Sequence, residues 1–189
     1  SRGWPSPTPR PMDSDDKPPA AKPSLLERLT ALLTREPEDR EELLDLMRGA
    51  FERHLLDADA LSMIEGVLSV SETTVREIMI PRSQMDCVAL EDPVPEFLPA
   101  VVETRHSRFP VIGESKDDVI GILLAKELLN YYANPEAFVL RDTLRPAVFV
   151  PESKRLNVLL REFRANRNHI AIVVDEYGGV SGLVTIEDV

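Results

Sequence analysis

Two stretches decide the fold: RFPVIGESKDDVIGILLAKEL (Arg108–Leu128) and HIAIVVDEYGGVSGLVTIEDV (His169–Val189). Laid one over the other they need no gap. Gly121 then falls on Gly182 and Phe109 on Ile170, at one offset of 61. Each reads as a strand, a polar turn, a strand with glycine in its middle, and the start of a helix. Working outward, VREIMIP (Val75–Pro81) can be set over LRDTLRP (Leu140–Pro146), and VAL (88–90) over VFV (148–150). VPEFLPAVVETR (94–105) and SKRLNVLLREFRANR (153–167) carry helical periodicity between the apolar runs. Each copy is therefore expected to be a strand, a crossover helix, a two-strand hairpin and a second helix. A unit this small buries its apolar face poorly alone, so the two should pack together about a pseudo-twofold axis.

Upstream the texture differs. Residues 1–23 are rich in proline with Ser, Asp and Lys, and are expected to be a disordered tail. Residues 24–70 read as helices. SLLERLTALLT begins at Ser24, a candidate N-cap with Glu27 three residues on. A second helix follows Pro37, and a third, DADALSMIEGVLSV, has apolar positions at 61, 64, 67 and 68. The expected domains are a tail (1–23), a helical region (24–70), a first repeat unit (71–134) and a second (135–189) truncated at its last helix.

Composition narrows the function. The net charge of −11 argues against a nucleic-acid partner, while local arginines can still serve a small phosphate ligand. The single cysteine, Cys87, allows no internal disulfide and points to a reducing compartment. His54, His106 and His169 are scattered and make no zinc spacing, so no metal site is expected. No apolar run approaches the roughly 18 residues of a membrane span. Asp175 and Glu176 in DEYGG suit a solvated hairpin turn better than a metal site, with Gly178 and Gly179 supplying positive φ.

The quoted stretches VREIMIPRSQM, HSRFPVI, VPESKR with LLREFR, and DEYGGVSGLVTIEDV occur in an order and spacing similar to those of CorC-type magnesium and cobalt efflux proteins, related to the CNNM transporters. The resemblance covers roughly Asp57 to Val189. It implies an α+β fold built on a tandem CBS domain pair, preceded by acidic helices. It also implies a family chain that continues beyond Val189 through a last helix into a small C-terminal domain. The implied function is regulatory, without catalysis: binding of an adenine nucleotide (AMP, ADP or ATP), with Mg2+ as a further candidate ligand. The expected partners are a second copy of the chain, joined through the CBS units, and a membrane transporter or membrane-associated protein. The expected location is the cytoplasm, at the inner face of the plasma membrane if the partner sits there. Two rival readings are a ligand-independent dimerisation scaffold and a nucleotide hydrolase.

The resemblance also assigns residues. Thr185 and Asp188 have the spacing of a helix-capping box. In a CBS second copy the same pair holds the phosphate and ribose of the nucleotide. Within HSRFPV, His106, Ser107, Arg108, Phe109 and Pro110 are the implied opposite wall, with Arg108 a fork donor suited to phosphate. Ile78, Met79 and Phe109 are candidates to sandwich the adenine ring, and Pro81 forces extended backbone at Ile80. The first copy has Leu124 where the second has Thr185, and Glu127 where it has Asp188. Leucine has no hydroxyl, so the first-copy site is expected to be the weaker or silent one.

Overall fold

The computed structural model describes residues 24–26 and 36–189. The tail expected over 1–23, and the body of the helix expected from Ser24, lie outside them. The chain divides into two compact units, Ser1–Leu46 and Met47–Val189. In the first, Leu25 and Leu26 are helical and helix α1 (Arg40–Glu52) begins. Asp39 caps it, its carboxylate accepting from the Glu42 amide at 2.9 Å.

In the second unit, α2 (Ala58–Val70) is capped by Asp57, which accepts from the Ala60 amide at 2.7 Å. The first copy then runs α3 (Val75–Ile78), β1 (Ile80–Pro81), a 3-10 turn (Arg82–Gln84), β2 (Val88–Ala89), α4 (Val94–Thr104), β3 (Arg108–Ile112) and β4 (Val119–Leu124). A 3-10 turn at Ala125–Glu127 leads into α5 (Leu128–Ala133). The second copy follows with α6 (Leu140–Thr143), β5 (Phe149–Pro151), α7 (Leu156–Asn166), β6 (Ile170–Val174), β7 (Val180–Thr185) and a 3-10 turn, Ile186–Asp188. In each copy a parallel pair (β2 with β3, β5 with β6) is joined to an antiparallel hairpin (β3 with β4, β6 with β7).

The ungapped overlay needs one correction. Leu124 lies opposite Arg108, and Thr185 lies opposite Ile170. The offset is thus 61 in β4 and β7 but 62 in β3 and β6, because the second hairpin turn is one residue shorter. The helices follow the larger offset: α4 ends on Arg105 and α7 on Arg167, both in the left-handed region with φ of 58° and 54°. Phe109 therefore corresponds to Ala171, and Arg108 to Ile170.

The copies exchange their opening segments. β1 pairs with β7, Ile80 opposite Leu183 and Pro81 opposite Gly182. Reciprocally, Arg145 bridges Ile122 through two backbone hydrogen bonds of 2.8 Å. Both matched glycines sit at these crossings. A Cβ on Gly121 would stand 2.9 Å from the Arg145 carbonyl oxygen, and one on Gly182 would run into the Ile80 carbonyl. Close backbone approach is the reason for glycine at both.

The cores are exchanged likewise. Val75, fully buried, belongs to the second copy's core with Val150, Leu156, Leu159, Phe163 and Val173. Leu140 belongs to the first copy's core with Phe97, Phe109, Val111 and Leu123, and Leu144 packs against it. A third cluster, of Met85, Ile122, Ile170, Ile172, Val180 and Leu183, draws on both sheets. At one end a polar clamp adds to this. Arg82 pairs with Asp117 and donates to the Val180 carbonyl at 3.1 Å, while the Val180 amide donates to Asp117 at 2.9 Å. Lys116 Nζ donates to the Arg82 and Met85 carbonyls at 2.8 and 3.1 Å.

Candidate functional site

A cavity of about 370 Å³ opens where the first copy's β3 begins and the second copy's β7 ends. The left-handed residue Arg105 turns the chain sharply out of α4, and His106, Ser107 and Arg108 follow it onto the cavity wall. The Ser107 carbonyl accepts from the Ala125 amide at 2.9 Å, which fixes that wall to the turn after β4. The equivalent bond, Ile186 amide to His169 carbonyl at 3.0 Å, fixes the turn that carries Asp188.

The opposite wall holds Thr185 and Asp188. The Thr185 amide and hydroxyl both donate to Asp188 Oδ2, at 2.9 and 2.7 Å. The pair is thus engaged as a cap, with the 3-10 turn beginning directly after Thr185 and ending on Asp188. Asp188 Oδ1 has no hydrogen-bond partner among the described residues, so it remains an acceptor at the cavity wall. His106 Nε2 lies 3.0 Å from Asp86 Oδ2, both side chains half-exposed, and its ring meets that of Phe109 at 5.8 Å.

Five of the nine residues singled out in the sequence line this cavity: His106, Ser107, Arg108, Thr185 and Asp188. The other four do not. Phe109 and Pro110 are buried within β3, which has apolar neighbours on both faces. Ile78 and Met79 are half-buried against the second copy's core. The apolar lining comes instead from Ile80, Met85, Ile170 and Leu183. Of the polar lining, Asp86, Arg105, His169 and Glu187 were not picked out in the sequence. The repeat itself pointed to His169, which is the structural counterpart of Ser107. Asp86 carries no such signal. The lining mixes guanidinium donors with carboxylate acceptors around an apolar floor, a composition that suits a ligand with phosphate, hydroxyl and ring parts.

Asp175 is used by its own turn: Oδ1 accepts from the amides of Tyr177 and Gly179, both at 2.9 Å, and Gly178 takes φ of 81°. In the first copy, Glu127 accepts from Asn130 Nδ2 at 2.9 Å and lies 3.6 Å from Arg145.

Two β-α-β-β units that exchange segments across a shared edge, with a ligand-sized cleft there, define a tandem CBS domain pair. The CBS domain family model matches residues 75–134 and 140–189, more than half of the chain, and a model described as the N-terminal region of NMB0537 matches 35–70. The magnesium and cobalt efflux protein CorC of Vibrio cholerae is 51% identical over 170 residues, covering 89% of this chain and 58% of that protein. A conserved domain of unknown function from Neisseria meningitidis MC58 superposes with a TM-score of 0.74 at 56% identity, over 78% of this chain and 96% of that one. The CBS domain of a bacterial CNNM/CorC family Mg2+ transporter in complex with ATP gives a TM-score of 0.62 at 43% identity, over 67% of this chain and 90% of that one. The chain belongs to the CNNM/CorC family. It spans little more than half the length of the curated relative, and no helix among its described residues is long and apolar enough to cross a membrane.

Proposed function

We propose that this chain is a regulatory, adenine-nucleotide-binding CBS pair of a CorC-like protein that acts in magnesium and cobalt transport or homeostasis. The observation that carries the reading is the convergence of His106, Ser107 and Arg108 from one copy with Thr185 and Asp188 from the other on a single cavity. A 43% identical CBS domain in complex with ATP supports it. Arg108 and Arg105 would hold phosphate, and Asp188 would accept from the ribose hydroxyls. The adenine would lie on the apolar floor of Ile80 and Leu183. Phe109 and Pro110, with Ile78 and Met79, act as packing that supports these walls. A ligand touching both copies stabilises the arrangement that brings them together, and that population shift is the signal passed to the partner. The expected setting is the cytoplasmic face of a membrane that holds the transporter, with Mg2+ accompanying the nucleotide.

Calorimetric titration with AMP, ADP and ATP, with and without Mg2+, tests the reading. Saturable binding lost in Asp188→Ala is the expected result. Its absence for all three nucleotides leaves the scaffold reading, which Val102, Leu129 and Tyr132 favour because all three are exposed on α4 and α5. Incubation with ATP and Mg2+ should release no ADP above the blank; steady release would instead support a hydrolase.

A further inference from the structure

We infer that Lys116 and Asp117, in the turn between β3 and β4, are positioning residues for the nucleotide cavity: they hold one of its walls from outside. The inference rests on the nucleotide reading above and adds what sets the affinity of that site. The wall is the segment of residues 80–86, of which Ile80, Gln84, Met85 and Asp86 line the cavity. Among the described residues neither Lys116 nor Asp117 lines it.

This segment has little secondary structure of its own to hold it. β1 is two residues long and pairs with β7 only at Ile80 and Pro81. Proline has no N–H to give to a ladder. The 3-10 turn that follows has three residues, and such short turns have poor hydrogen-bond geometry. Support comes from the first hairpin turn. Lys116 Nζ donates to the Arg82 carbonyl at 2.8 Å and to the Met85 carbonyl at 3.1 Å. One ammonium thus ties the first residue of the 3-10 turn to the residue just past its end. Asp117 pairs with the Arg82 guanidinium and accepts from the Val180 amide at 2.9 Å, and Arg82 donates to the Val180 carbonyl at 3.1 Å. The segment is therefore pinned at Arg82 and Met85, between and beside the residues that face the cavity.

The two hairpin turns are used differently. In the second, Asp175 accepts from the amides of Tyr177 and Gly179, so that carboxylate serves its own turn. In the first, one residue longer, Lys116 and Asp117 reach out to the 80–86 segment and to β7. β7 begins at Val180, in the clamp, and ends at Thr185, on the cavity wall. Clamp and cavity thus act on the two ends of one strand. By fixing Arg82 to Val180, the clamp sets where Met85 and Asp86 stand relative to Thr185 and Asp188. A wall held in place binds at its intrinsic affinity. A wall in place only part of the time binds more weakly by that fraction.

AMP and ATP are the probes, titrated calorimetrically into the whole chain and its variants. Lys116→Met and Asp117→Ala should each weaken binding by about threefold to tenfold, the loss expected when the competent wall is present only a third to a tenth of the time. Lys116→Arg keeps donors for both carbonyls and should restore most of the affinity. Arg161→Gln, an equal charge change at an exposed position of α7, should leave it unchanged. A second measurement needs no nucleotide. The chain has five methionines, and the Met85 methyl resonance, assigned with Met85→Leu, reports the wall directly. It should shift or broaden in Lys116→Met and return in Lys116→Arg. Parental affinity in both Lys116→Met and Asp117→Ala overturns the inference. So does failure of Lys116→Arg to restore binding, or weakened binding with an unmoved Met85 signal, which reduces Lys116 to a distant charge. A parent chain that binds neither AMP nor ATP sinks the nucleotide reading and this inference together, whereas a parent that binds alongside unaffected variants sinks this one alone.

Discussion

Asp188 uses one carboxylate oxygen for both the amide and the hydroxyl of Thr185, which leaves the other available to a ligand. Cap and clamp are therefore compatible in one residue pair. Asp188→Ala and Thr185→Ala should each weaken adenine-nucleotide binding by about tenfold to a hundredfold, since hydrogen bonds to charged groups contribute about 1.5–3 kcal/mol. Glu127→Ala should not weaken it. The cap contributes about 1 kcal/mol to stability, so affinities must be compared well below the melting temperature. Glycines separate in the same way. Gly182→Ala forces a methyl group onto the Ile80 carbonyl and 3.0 Å from Met79 Sδ, and should cost about 1–3 kcal/mol in thermal denaturation. Gly66→Ala, inside α2 with nothing within 4 Å, should stabilise by about 0.5–1 kcal/mol.

Among the elements, α3 and β1 belong by sequence to one copy and by packing to the other. Val75→Ala should therefore destabilise the second copy's core, by about 2 kcal/mol. A peptide of residues 71–134 lacks Leu140 and Leu144 from its own core and gives Val75 nothing to pack on. It should show no cooperative melting by circular dichroism until residues 135–189 are added. The strands β3, β4, β6 and β7 are legible in the sequence because apolar runs bounded by polar turns have few other readings. β1 is not, since two residues carry no period and their partner strand is at the far end of the pair. The one-residue slip between turns is hidden for a related reason. β3 and β6 are buried on both faces, so no alternation fixes their register. The same burial explains Phe109 and Pro110: an apolar residue beside a binding motif looks alike whether it faces core or ligand. Arg108, Thr185 and Asp188 line the cavity, but only the family resemblance singled them out: by residue type alone the last two suit a helix cap and Arg108 an ion pair.

For the molecule as a whole, the Arg82–Asp117 clamp sets an acid limit. The hydrogen bond from Arg82, and then that from the Val180 amide, hold the Asp117 carboxyl below its usual range. A depressed carboxylate contributes stability that is fully present above its unfolded pKa and is lost as pH falls through the folded one. The clamp should hold at neutral pH and release only below about pH 4. Melting temperatures followed across that range should fall less steeply for Asp117→Asn than for the unmodified chain. Equality of the two curves would show that other carboxylates set the limit. The exchange of segments also has a bearing on biosynthesis. Arg82 meets Val180 98 residues later, and β1 beside it waits equally long for β7. On the ribosome the first copy emerges with part of its core still untranslated, and Val75 must stay exposed until the second copy has been made as far as Val184. Such late, distant closures are slow. Folding of the first copy is thereby tied to translation of the second, and a nascent chain halted between them offers the cell's chaperones and proteases an unfinished half.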